Sequence, residues 1–311
     1  MTKWVTKKLG DLIIDSYAGG TPNRSREDYY GGDIPWVSSG EVNNPEIIST
    51  IENITLTGLT NSSAKWIPAN SILVALYGAT AGQVSMLRIK ATSNQAVLAI
   101  IPNNEIIDTD FLYNQIKFNK QALLFLAQGS GQPNLSKNIV DRLDITYPES
   151  LAEQRRIAGI LSSADGAIAA TEALIEKYRN IKRGLLTTLL QPKEGWKTET
   201  LKDCTLKITD GCHNKPKCVE RSSFIMLSSQ NIQDNKLDLK DVSYLTEEDF
   251  ERENIRTNVK AGDVLLTIVG TVGRTYLVKE TDFRFTLQRS VAVLSPNTQL
   301  IESEFLLYYL I

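Results

Sequence analysis

Residues 149–192 read ESLAEQRRIAGILSSADGAIAATEALIEKYRNIKRGLLTTLLQP. Pro148 and Pro192 bracket the segment and no proline interrupts it, so it can run as one helix. Ile157, Ile160, Ala164, Ala167, Thr171, Leu174, Tyr178, Ile181, Leu185 and Thr188 follow one another at alternating steps of three and four. Sustained over about four heptads, that spacing predicts a coiled-coil seam. A helix of about 35 residues would run on the order of 50 Å. The alternative is an ordinary amphipathic helix packed on its own domain. The length favours a strut, and the small seam residues favour close packing against another helix.

The sequences flanking this helix are imperfect copies of each other. Trp4, Thr6, Leu9 and Asp11 recur 192 residues later as Trp196, Thr198, Leu201 and Asp203. IPANSILVALYGATAGQ (67–83) matches VKAGDVLLTIVGTVGR (259–274) with one gap, and Gln95 opening QAVLAIIP pairs with Gln288 opening QRSVAVLSP. IIDTDFLYNQI (106–116) matches LIESEFLLYYL (300–310). Four collinear matches divide the chain into a first domain at 1–148, a helical spacer at 149–192 and a second domain at 193–311. In the first copy about 80 residues follow Lys117 before the next unit begins, whereas the second stops at Ile311, so the second copy is expected to be C-terminally incomplete and the less stable. Short β-branched runs (72–77, 96–101, 264–269, 290–295) separated by Gly, Asn and Pro predict strand-rich α+β domains.

Composition narrows the classes. The 311 residues are 42% hydrophobic and 23% charged, ordinary for a globular protein of two domains. No run of about 18 uncharged apolar residues occurs, so no membrane association is expected. The N-terminus lacks a secretory pattern and three cysteines suit a reducing compartment, so a cytoplasmic location is expected. Net charge is −2 overall: −2 for 1–150 (12 basic, 14 acidic), +2 for 151–192 (6 and 4) and −2 for 193–311 (16 and 18). A generic basic nucleic-acid binder is therefore disfavoured, although local positive charge, or charge supplied by partners, is not.

Catalytic signatures are missing. There is no GxxxxGK[ST] and no GxGxxG opening a helix. His213 is the only histidine, which rules out an imidazole pair and disfavours a His-based triad. Cys204, Cys212, His213 and Cys218 lack the paired CxxC spacing of a zinc site. Glu247, Glu248 and Asp249 read as a solvated helix face. No cofactor, metal or catalytic residue is expected.

What remains are polar, glycine-punctuated loops at similar places in both copies. The first copy has GGTPNRSR (19–26), WVSSGEVNN (36–44), YGATAGQV (77–84), SNQ (93–95) and GSGQPNLSK (129–137). The second has TDGCHNKPK (209–217), MLSSQNI (226–232), VGTVGR (269–274) and LQR (287–289). Asn and Gln suit adenine edges, Arg and Lys suit guanine, and glycine-freed amides suit phosphates. Turns also favour these residues for backbone reasons alone, and recurrence in both copies is what raises the set above that. The DNA-contacting candidates are Arg24, Arg26, Ser38, Ser39, Thr80, Gln83, Gln132, Asn134 and Lys137 in the first copy. In the second they are Asn214, Lys215, Lys217, Ser228, Ser229, Arg274 and Arg289.

GGTP, GGDIPWVSSGEV, ILVALYGATAG, NQAVLAI, GSGQPNLSK and then AEQRRIAGIL…ALIEKYRNIKRGLLTTLL, in that order, resemble the specificity subunit of type I restriction–modification systems. The resemblance runs the length of the chain. It implies two tandem target-recognition domains joined by a long coiled-coil helix, each reading half of a bipartite double-stranded DNA site. It further implies no catalysis of its own, with methyltransferase subunits and, in the full complex, restriction subunits as partners. Ile157, Ile160, Leu174, Tyr178, Ile181 and Leu185 are the expected subunit-interface residues, either in an antiparallel pair of central helices or under a methyltransferase subunit. A tandem carbohydrate- or peptide-binding protein is the rival class, and the missing secretion signal counts against it. A methyltransferase with its own recognition domain is the other, and no Asn/Asp-Pro-Pro-aromatic string occurs.

Overall fold

The computed structural model describes residues 3–126, 134–213, 216–280 and 284–311. The chain forms two compact units, Met1–Ala173 and Leu174–Ile311.

The first unit is built on a five-stranded sheet in the order Ile13–Ala18, Val97–Pro102, Ser71–Ala75, Val84–Leu87, Glu46–Ile47, antiparallel except for the last pair. Successive side chains along a strand face opposite ways, and here both faces are covered. Ile72, Val74, Leu98 and Ile100 pack with Leu9, Leu12, Phe111, Leu112, Ile116, Val140 and Ile145. Leu73, Ala75, Val97 and Ala99 pack with Val37, Ile47 and Ile67. Burial on two sides explains why 72–76 reads as an unbroken apolar run instead of an alternating one. A smaller sheet pairs Tyr30–Val37 with Glu52–Ile54 (antiparallel) and with Thr92–Ser93 (parallel). Trp4–Lys8 closes the unit by pairing antiparallel with Asp144–Pro148.

The second unit repeats the plan. Thr205–Asp210, Val291–Pro296, Val264–Thr267 and Thr275–Leu277 form a four-stranded antiparallel sheet in that order. Its two faces bury Leu265, Val291 and Val293 on one side and Val264, Ala292, Leu294, Leu306 and Leu307 on the other. In a second sheet Phe224–Leu227 pairs in parallel with Arg284–Leu287, as Tyr30–Val37 does with Thr92–Ser93.

The predicted central helix spans Leu151–Leu189, 39 residues. Its start is fixed on the first unit by Gln154, which is fully buried. The Gln154 amide donates to the carbonyls of Pro148 (2.8 Å) and Ile106 (3.3 Å), and its oxygen accepts the Asp108 N–H (2.7 Å). Ala158 is buried and Ile157 packs against the same core, so Ile157 serves its own unit. Ile160, Leu174, Tyr178, Ile181 and Leu185 lie on an exposed stripe. Part of this helix is long and apolar enough to cross a membrane by length and composition if two charges are tolerated. Asp165 and Glu172 interrupt its apolar run, and each would cost a few kcal/mol in hydrocarbon.

Candidate nucleic-acid interface

In both units the chain leaving the first strand of the large sheet crosses the end of the parallel strand at a glycine. Gly19 and Gly20 donate to the carbonyls of Val97 (3.2 Å) and Ser93 (2.8 Å); Gly211 and Cys212 donate to those of Val291 (3.1 Å) and Leu287 (2.7 Å). A Cβ on Gly19 would lie 2.1 Å from the Ser93 carbonyl oxygen, and one on Gly211 would lie 2.1 Å from that of Leu287. Only glycine permits so close an approach. The recurring glycine is thus a backbone requirement that brings the polar loops to one end of each sheet.

The serine pairs form a second shared device. In the first unit Glu41, buried, accepts the Ser38 N–H (2.9 Å) and hydroxyl (2.8 Å) on one oxygen and the Ile51 N–H (2.9 Å) on the other. In the second, buried Asn231 accepts the Ser228 N–H (2.8 Å) and hydroxyl (3.0 Å) while its amide donates to Asp238 O (3.0 Å) and Asp241 O (2.8 Å). The hydroxyls of Ser38 and Ser228 therefore brace a short 3-10 turn. Ser39 and Ser229 are half-buried beside them.

The third device is the turn after the parallel strand. Asn94 and Gln288 each donate a backbone N–H across to the neighbouring strand, to Val37 O (2.9 Å) and Leu227 O (2.8 Å). Their carbonyls accept from Val97 (3.2 Å) and Val291 (2.9 Å). The Asn94 side chain accepts the Ala96 N–H (3.1 Å), and that of Gln288 accepts the Ser290 N–H (3.3 Å). This corrects the sequence register by one residue. The counterpart of Gln288 is Asn94, and Gln95 corresponds to Arg289, because the hydrogen-bonding role tracks position in the turn and not residue identity.

Arg24 and Arg26 are engaged within the first unit. The Arg24 guanidinium sits over the rings of Tyr30 (4.6 Å) and Trp36 (4.9 Å) and binds Glu52 through both terminal nitrogens (2.8 and 3.2 Å). Arg26 grips Asp28 (2.8 and 2.8 Å). Hydrogen bonding to Glu52 raises Arg24 above its usual range, and the Arg26 pair raises the arginine and lowers Asp28. The loop they occupy is pinned by the Trp36 indole donating to Gly20 O (2.9 Å) and the Tyr30 hydroxyl donating to Pro22 O (2.6 Å).

Thr80 and Gln83 lie in the loop between Ser71–Ala75 and Val84–Leu87, half-buried, with the Gln83 N–H donating to Thr80 O (2.9 Å). The 134–137 segment runs alongside, Leu135 donating its N–H to Leu76 O (2.8 Å) and Asn134 exposed. Lys137 binds Asp141 (2.7 Å) and the Ser16 hydroxyl. In the second unit the Arg274 guanidinium donates to Ile232 O (3.3 Å), Lys217 is exposed, and Arg289 is exposed. Ser228, Ser229 and Arg289 come together on a cleft of about 340 Å³ that Gly270 and Ser290 also line. Gln132, Asn214 and Lys215 lie outside the described residues.

Asp249 and Gln95 depart from the sequence expectations. Asp249 is not solvated: it is buried, accepts the Lys217 N–H (3.1 Å) and pairs with Arg252 (2.5 Å), behind a helix start capped by Thr246. Gln95, absent from the sequence candidates, is exposed and accepts a hydrogen bond from the Thr21 hydroxyl. Its signal was the SNQ/LQR pairing, which reading one residue out of register concealed. Among the described residues, no group of three or more His, Cys, Asp or Glu could hold a metal ion. Cys204, Cys212 and Cys218 form no disulfide.

Two sheet-based units, each presenting braced polar loops at one sheet end, and the long helix Leu151–Leu189 make up the described architecture. The model of the type I restriction modification DNA specificity domain matches residues 1–178, and the chain belongs to that family. It is 33% identical to the HindI specificity subunit of Haemophilus influenzae over 47% of this chain and 32% of that protein. To the MjaVIII specificity subunit of Methanocaldococcus jannaschii it is 24% identical over 99% of this chain and 74% of that protein. The chain thus spans about a third of one curated relative and about three quarters of the other. The crystal structure of a type I restriction–modification S subunit from M. genitalium shares the fold, with a TM-score of 0.62, 16% identity, and coverage of 99% of this chain and 76% of that one. A structure reported on complex assembly and conformational transition of the type I system has a TM-score of 0.57 at 16% identity, covering 100% of this chain and 80% of that one.

Proposed function

We propose that this chain is the DNA sequence-specificity subunit of a type I restriction–modification complex. Each unit reads one half of a bipartite double-stranded site, and the chain positions methyltransferase and restriction subunits without catalysing a reaction. The observation that carries the reading is the shared scaffold. The crossing glycine, the serine-braced turn and the turn after the parallel strand recur in both units, yet the outward side chains differ. A fixed frame with variable outward residues suits recognition of two different half-sites. The near-neutral charge of each unit suits a subunit whose partners share the phosphate contacts, since those contacts supply most of the non-specific affinity. The exposed stripe Ile160–Leu185 on the central helix is the proposed docking seam for those partners, and the complex is cytoplasmic.

The test is co-expression with an adenine methyltransferase subunit of the same system, purification of the complex, and mapping of methylated adenines on DNA of random sequence. The expected result is a two-part motif with a fixed gap, methylated only when this chain is present. Methylation by the isolated chain, or a motif unchanged when this chain is replaced by another specificity subunit, overturns the proposal.

A further inference from the structure

The turns Asn94–Ala96 and Gln288–Ser290 each hold two residues inward and one outward. Ala96 and Ser290 are buried, and Asn94 and Gln288 are half-buried and bonded back to the turn. Ser290 also accepts the Ser229 N–H (3.0 Å), tying this turn to the serine-braced one. With its neighbours fixed, the backbone of the middle residue is fixed too, and its side chain is the one in the turn that is exposed. That residue is Gln95 in the first unit and Arg289 in the second.

Resting on the reading proposed above, we infer that this position specifies a base in each half-site, Gln95 an adenine and Arg289 a guanine. A glutamine amide matches the N6 donor and N7 acceptor of adenine, and a guanidinium matches the O6 and N7 acceptors of guanine. The Thr21 hydroxyl donates to the Gln95 oxygen. An amide oxygen has two lone pairs, so this bond orients the group while leaving one lone pair and both N–H donors for a base. Arg289 has no side-chain partner among the described residues. In the same unit Arg252, Arg256 and Arg284 are held by Asp249, Asp210 and Glu251, and Arg274 by the Ile232 carbonyl. The cleft beside Arg289, with Ser228, Ser229 and Gly270, gives a base edge polar surroundings.

The same Gln-to-Arg exchange occurs at 83 and 274, whose carbonyls both accept from the strand before the loop, at Ala75 (3.0 Å) and Thr267 (2.9 Å). There the arginine is half-buried and its guanidinium donates to the Ile232 carbonyl, so it braces the loop and does not read a base.

The experiment uses the assembled methyltransferase complex and a DNA library carrying all four bases at every position of both half-sites. Arg289→Lys keeps the charge and loses the planar fork. It is expected to lower the preference for guanine at one position of one half-site by about 10- to 100-fold, leaving the other half-site unchanged. Gln95→Arg is expected to move one position of the other half-site from adenine to guanine. Arg289→Gln repeats the test with an uncharged side chain, and a thermal melt of each variant confirms folding. Uniform loss across all sequences with a shallower salt dependence makes Arg289 a phosphate contact and overturns the inference. An unchanged motif in all three variants overturns it equally. A wild-type complex with no bipartite preference defeats the proposed function instead, and is seen before any variant is made.

Discussion

In the first unit, Trp4–Lys8 pairs with Asp144–Pro148, and the chain leading into that pairing buries Leu135, Val140, Leu143, Ile145 and Tyr147. In the second, residues 196–200 repeat the same tryptophan and threonine yet form no strand, and Ile208 on the first strand is exposed where its counterpart Ser16 is buried. The aromatic anchor survives in both: Trp4 lies 6.5 Å from Phe111, and Trp196 lies 5.8 Å from Phe305. A strand needs a partner for its backbone, whereas an aromatic contact needs only a neighbouring side chain. The same segment is therefore ordered into a sheet where residues 144–148 supply that partner, and stays irregular where no described segment does.

The largest consequence is a gap in local stability. Burying a large apolar side chain is worth about 1.5–3 kcal/mol before ordering costs. Net of those costs, the amides of residues 97–101 should open with a free energy on the order of 3 kcal/mol greater than those of residues 291–295, about a hundredfold in exchange rate. Native-state hydrogen exchange reads this directly, and equal protection of the two strands would break the comparison.

The crossing glycines should respond alike despite that gap. Gly19→Ala and Gly211→Ala each place a methyl against a backbone carbonyl, which no side-chain movement relieves. Each should cost about 2–3 kcal/mol in denaturant unfolding of its own unit. A loss in one unit only would show that the two crossings are not equivalent.

Glu41 and Asn231 occupy one role with opposite chemistry. Glu41 accepts at both oxygens, whereas Asn231 accepts at one end and donates to two carbonyls at the other. The nearly isosteric changes Glu41→Gln and Asn231→Asp should therefore each destabilise by about 2 kcal/mol, since each leaves a buried group facing its own kind. Thermal melts showing either change to be neutral would mean that the turn can rearrange.

The smallest effect concerns pH. Burial alone would raise the Asp210 carboxyl, but its hydrogen bond to His213 and the nearby Arg256 charge hold it below the ordinary aspartate range. A lowered folded value gives stability that is complete above the unfolded value of about 3.9 and is lost as pH falls through the folded one. The loop at 209–213 should loosen only below about pH 4, by no more than about 1 kcal/mol. Asp210→Asn should abolish that dependence in an NMR titration, and the first unit, which has glycine and threonine instead of cysteine and histidine there, should not show it.

Much of the architecture was legible in the chain. The heptad spacing marked the helix, whose observed limits are Leu151–Leu189, and the collinear repeats marked two related units. The apolar runs at 72–77 and 264–269 marked the strands Ser71–Ala75 and Val264–Thr267, because burial on both faces leaves little room for polar residues. The candidate interface was legible only as a set of loops. Composition could not distinguish Arg24, held by Glu52, from Arg289, which has no side-chain partner among the described residues, since the Arg24–Glu52 pair depends on segments that meet only in the fold.

The duplication, the helix and the position of the polar loops follow from the chain alone, because they rest on periodicity and on residues close together in sequence. Tertiary structure alone decided which side chains are committed and which face outward. Glu41 reaches Ile51, Gln154 reaches Ile106, Thr21 reaches Gln95, and Ser229 reaches Ser290, contacts between residues 10 to 74 positions apart. Such contacts are fixed by strand register and by the close approach at Gly19 and Gly211. A shift of one residue in that register exchanges an inward turn residue for an outward one, so the equivalence of Gln95 and Arg289 follows from strand pairing and not from residue identity.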